Sequence, residues 1–106
     1  MTTYHELTGF QRDLLEAIAA VDGDPYGLAL KRYLDERYAD PINHSRLYQN
    51  LDDLTEQGLI NRDALDDRTN AYTLTDAGRR LLQRQAETLA SLCDQPRPVA
   101  DGSGYR

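Results

Sequence analysis

A chain of 106 residues with a single cysteine, Cys93, amounts to one small domain that closes no internal disulfide, holds no multi-cysteine metal centre, and buries only a modest share of its surface unless a second chain covers more. With no run of about 18 apolar residues, and with Met1–Glu6 lacking the basic start and apolar stretch of a signal peptide, it is expected to be cytoplasmic and away from membranes. Eighteen acidic residues against twelve basic ones give a net charge of -6, the reverse of the basic balance usual in a nucleic-acid binder.

Phe10, Leu14, Leu15, Ile18 and Val21 recur at helical spacing, with Thr8 placed to cap the segment and Asp22-Gly23-Asp24 to break it. A second helix opens near Pro25, carries Leu28, Leu30, Tyr33, Leu34 and Tyr38, and is predicted to run through Arg37 before Asp40-Pro41. The third, capped by Asn43 or Ser45, turns Leu47, Tyr48, Leu51 and Leu54 inward and stops at Gly58. Two short extended runs, 59–65 and 71–74, flank a polar turn at 66–70 and predict a β-hairpin, although no Asn-Gly or Asp-Gly pair marks the turn. Thr75 then caps a fourth helix from Asp76 to about Cys93, with Leu81, Leu82, Ala86, Leu89, Leu92 and Cys93 along one stripe.

Three helices, a hairpin and a fourth helix make a mainly α fold with a small β-hairpin wing: a winged helix-turn-helix with an added C-terminal dimerisation helix. The expected organisation is an N-terminal segment at 1–7, a DNA-binding domain at 8–75, the dimerisation helix at 76–93 and a flexible tail at 94–106. An apolar stripe reaching Leu92 outruns so small a core, which implies a second copy packed on Leu82, Ala86, Leu89, Leu92 and Cys93. Cys93 is expected as a small hydrophobe in that interface, its oxidation being the competing role.

The ordered set Pro25-Tyr26-Gly27, Leu47-Tyr48, Leu51, Leu54, Gly58-Leu59-Ile60, Tyr72-Thr73-Leu74-Thr75 and Gly78 resembles the PadR-like family over roughly residues 8 to 82. Only Lys31 is a lysine, and Asp greatly outnumbers Glu. That surface suits high salt, where screening relieves self-repulsion, and with the motifs it resembles the haloarchaeal members of the family; an ordinary acidic protein is the competing reading. The resemblance implies a transcription factor acting as a homodimer whose C-terminal helix packs on its partner. Here that helix is expected to be a short one with no large effector domain, and the expected recognition helix and wing are not basic.

If the leucines of the third helix point into the core, Ser45, Arg46, Gln49, Asn50 and Asp53 point outward, and Arg, Asn and Gln are the side chains that bond guanine and adenine edges. The solvated face of any surface helix is the alternative. Arg68, with Thr69 and Asn70 at the wing tip, is placed for a phosphate or minor-groove contact; Arg62 on the wing, and Asn43, His44 and Tyr48 on the third helix, complete the expected DNA-binding set. Two copies would set two such helices about one DNA turn apart, over a pseudo-palindromic operator. Potassium ions are expected to bridge the acidic residues and double-stranded DNA. No phosphate loop, nucleophile motif or paired His and carboxylate suggests an enzyme, a cofactor or a metal. The remaining competitor is a winged helix that contacts only protein, which an apolar rather than polar outer face would have favoured.

Overall fold

The structure, a computed structural model, describes residues 3–21 and 23–94; the expected tail lies, apart from its first residue, outside them. After a single 3-10 turn, Tyr4–Glu6, come helices α1 (Gly9–Ala20), α2 (Gly27–Asp35) and α3 (His44–Glu56), an antiparallel hairpin of β1 (Ile60–Ala64) and β2 (Asn70–Leu74), and helix α4 (Asp76–Asp94). This is the expected winged-helix order. Among the described residues no helix is long and apolar enough to cross a membrane.

Local signals fix most boundaries. Thr8 and Gln11 form a reciprocal capping box that satisfies two otherwise unpaired N–H groups at the start of α1. Asn43, of the two predicted caps, closes α3 by accepting the Arg46 N–H at 3.0 Å. At the far end of α3 the N–H of Leu59 reaches the Leu54 carbonyl at 3.1 Å and that of Gly58 the Thr55 carbonyl at 3.0 Å, with Gly58 at φ 76°. That double closure needs a left-handed residue, which accounts for the glycine, and it delivers Leu59 and Ile60 into the core. Thr75 accepts the Gly78 N–H at 3.1 Å, starting α4, and donates to the Gly58 carbonyl at 2.7 Å.

One boundary differs. α2 ends at Asp35 rather than Arg37, because the N–H groups of Arg37 and Tyr38 both turn back to the Leu34 carbonyl. Asp35 then accepts the Ile42 N–H at 2.7 Å and the Lys31 ammonium at 2.7 Å, which draws Ile42 into the core beside Leu34. The Lys31 bond and then the Ile42 bond hold the Asp35 carboxyl below its ordinary value.

Leu14, Leu15, Leu30, Leu34, Leu47, Leu51 and Leu54 are buried where α1, α2 and α3 meet, and Ile60 and Tyr72 close that core from the wing. β1 buries only Ile60, so the rest of that strand projects from the body. The wing is anchored at its base by a bridge between Tyr26 and Ala71 and by the Tyr72 N–H donating to the Pro25 carbonyl at 3.0 Å.

Candidate nucleic-acid interface

Helix α3 divides as its sequence predicts: Leu47, Leu51 and Leu54 face the core, while Ser45, Arg46, Gln49 and Asp53 are exposed. Arg46 lies over the buried Phe10 ring, with its guanidinium carbon 4.1 Å from the centroid. The contact sets the cation against the ring while the side chain as a whole stays exposed. His44 is exposed and its ring stacks on Tyr48 at 6.4 Å between centroids.

Two expectations on this helix need correction. Tyr48 does not turn inward; it is 42% exposed and leans across α2, where its hydroxyl occupies the space a side chain at Gly27 would need. Asn50 is not a free outward amide, since its Oδ1 accepts Gln11 Nε2 at 3.1 Å and its Nδ2 donates to the Arg46 carbonyl at 2.8 Å. Both departures come from residues distant in sequence, a missing side chain at 27 and an amide at 11. The capping pattern Thr8-x-x-Gln11 was visible in the sequence, but its second use was not.

The wing tip is built on Asp66. Its Oδ1 accepts the N–H groups of Arg68 and Thr69, each at 2.8 Å, while the Leu65 N–H reaches the Thr69 carbonyl at 2.8 Å. This side-chain turn replaces the absent Asn-Gly, and the bonds from Arg68 and then Thr69 hold the Asp66 carboxyl below its ordinary value. Arg68 is exposed, and among the described residues it joins neither ion pair. Arg68, Thr69 and Asn70 meet Gly27, Tyr48 and Tyr72 around a cleft of about 190 Å³ between wing and helices. Arg62 stands apart: it pairs with Asp52 of α3 at 2.7 Å.

The stripe expected to face a partner runs along α4. Leu89 and Leu92 are 51% and 60% exposed, Ala86 and Cys93 are exposed, and Leu82 is half-buried. Leu82, Ala86 and Leu89 line one wall of a groove of about 400 Å³ whose other walls include Tyr4, Ala19, Ala20 and Tyr33. The N-terminal turn is held at this edge by Arg12, which donates to the carbonyls of Tyr4 and His5 at 3.1 and 3.2 Å.

The fold agrees with comparisons to known proteins. No curated protein sequence matches the chain. Among solved structures, a complex structure of H. salinarum RosR is 40% identical, with a TM-score of 0.75, over 86% of this chain and 80% of that one. RosR of H. salinarum grown from NaBr is likewise 40% identical, with a TM-score of 0.74, over 86% of this chain and 82% of that one. A PadR family transcriptional regulator from Eggerthella lenta is 27% identical, with a TM-score of 0.55, over 80% of each chain. The last of these is described as a transcriptional regulator. The sequence model of the transcriptional regulator PadR-like family matches residues 14–84, and the chain belongs to that family.

Proposed function

We propose that the protein is a cytoplasmic, sequence-specific DNA-binding regulator that acts as a homodimer on a pseudo-palindromic operator at high salt. Residues 8–75 bind double-stranded DNA and residues 76–93 hold the dimer. The observation that carries this reading is the exposed polar face of α3, Ser45, Arg46 and Gln49, standing beside a wing whose tip presents Arg68. Arg46 offers an exposed guanidinium of the kind that bonds guanine, and Gln49 an amide that suits adenine. Arg68 is placed for the neighbouring backbone, and Tyr48 and His44 border the same surface. Exposed Leu89 and Leu92 support the dimer, since an apolar surface of that kind is costly to leave in water.

Fluorescence anisotropy on a duplex from the protein's own upstream region, in molar potassium chloride, tests the reading. Arg46→Ala should lose about 1–3 kcal/mol and relax base preference, whereas Arg68→Ala should weaken all sequences alike. Unchanged binding by both variants, with fold and dimer intact, would place the interface elsewhere.

A further inference from the structure

The first turn of α1 touches Arg46 of the proposed reading face and the half-buried Asn50 beside it. Phe10, 4% exposed, is the platform under Arg46. Gln11, 8% exposed, uses its amide in two directions: Oε1 accepts the Thr8 N–H at 3.2 Å, and Nε2 donates to Asn50 Oδ1 at 3.1 Å. Glutamate at this position would complete the same capping box but would have no N–H to give Asn50. The helix cap alone therefore does not explain why an amide stands here.

Asn50 is held from both sides. Gln11 fixes its oxygen and the Arg46 carbonyl takes one of its hydrogens, so the remaining N–H keeps a set direction. Arg46 is likewise restrained by its contact with the Phe10 ring. A side chain ordered before binding loses less conformational freedom when it meets its partner, and a donor that cannot swing tolerates fewer wrong partners.

We propose that Phe10 and Gln11 are positioning residues that act through Arg46 and Asn50, setting how sharply α3 discriminates base sequence without touching DNA themselves. This rests on the DNA-reading role given above to α3.

The test uses the full chain. Wild-type protein enriches a duplex from a random-sequence pool in molar potassium chloride, and the ratio of its dissociation constants for a scrambled and the enriched duplex measures discrimination. Gln11→Leu, Gln11→Glu and Phe10→Leu should each lower that ratio by about three- to tenfold, with Gln11→Leu leaving scrambled-duplex affinity unchanged. In an Asn50→Ala background, Gln11→Leu should lower the ratio no further. Gln11→Glu retains the capping box, so it still decides the matter if Gln11→Leu does not fold. A ratio unchanged in Gln11→Glu, effects of Gln11 and Asn50 that simply add, or equal losses on both duplexes overturn the inference and leave DNA reading by α3 standing. A wild-type protein that enriches no duplex overturns both.

Discussion

Arg62 Nη1 donates to Asp52 Oδ1 at 2.7 Å, which ties the first strand of the wing to the outer face of α3 and neutralises a cation that sequence alone assigned to DNA. Both side chains are well exposed, at 43% and 60%, so the pair contributes little to stability. Its effect on binding should be larger, because phosphate must compete with Asp52 for the guanidinium.

Asp52→Asn should therefore raise DNA affinity and make it fall more steeply with salt, as Arg62 becomes free to displace a counterion. Thermal stability should change by less than about 1 kcal/mol. Anisotropy titrations at several salt concentrations, beside a melting curve, check both halves. Affinity unchanged at every salt concentration would mean that Arg62 does not approach DNA.

Two glycines of the family motifs should respond oppositely to alanine. A Cβ at Gly78 would collide with the Leu59 carbonyl, backbone that is already fixed by the Thr75 N–H at 3.1 Å. Gly78→Ala should cost about 1–3 kcal/mol, since α4 must shift off the wing base. A Cβ at Gly27 would instead strike the Tyr48 ring tip, with Cζ at 2.7 Å, and a half-exposed side chain can swing away. Gly27→Ala should keep most of the stability while displacing Tyr48 from the cleft. Denaturant unfolding separates the two, and equal losses would show that Tyr48 is locked in place.

The helix starts were legible because Thr8, Asn43 and Thr75 act on N–H groups within three residues, and Gly58 marked the end of α3 for the same local reason. What escaped depended on distance or substitution. Asp66 makes the turn that an Asn-Gly pair makes elsewhere, Gly27 creates the space that draws Tyr48 outward, and Gln11 binds Asn50 across 39 positions of sequence. The polar character of the outer face of α3 was readable; which of its groups are already engaged was not.

Alkaline stability should report on Tyr38. Burial first, and then its hydrogen bond to Asp13, push the Tyr38 hydroxyl from 10.0 up to about 12. The folded state thus favours the protonated phenol: its contribution is fully present below about pH 10 and is lost as pH rises through about 12. Tyr38→Phe should flatten the decline in unfolding free energy across that window. An identical decline in the variant would assign the alkaline transition to another group.

The dimer prediction rests on α4. Leu89 borders the groove formed with Ala19, Ala20 and Tyr33, so Leu89→Asp should place an unpaired charge against a partner and dissociate it. Since Leu89 is 51% exposed in one chain, the isolated fold should survive. Sedimentation shows the outcome, and an unaltered dimer would move the interface towards the N-terminal turn.

Salt dependence is the sharpest test of how an acidic protein meets a polyanion. An ordinary repressor releases about one cation per neutralised phosphate, so its affinity falls steeply as salt rises. Here Arg46 and Arg68 are the exposed cations of the proposed surface, while Arg62 is already paired with Asp52. Asp53, Asp63, Asp66 and Asp67 are exposed on α3 and the wing, close to where the backbone of a bound duplex would run. Repulsion from these carboxylates is long-ranged at low salt and shrinks with the Debye length. Potassium ions held between carboxylate and phosphate would offset the release at the arginines. Affinity should accordingly stay nearly flat, or increase, as potassium chloride approaches molar concentration. Circular dichroism at each point excludes unfolding at the low end as the cause. Asp66→Asn keeps an Oδ1 acceptor but weakens the charge-assisted bonds that hold the wing turn, so Asp53→Asn together with Asp67→Asn is the cleaner variant: it should restore a negative slope. A wild-type slope as steep as that of a repressor with several phosphate contacts would show that the acidic residues face away from DNA.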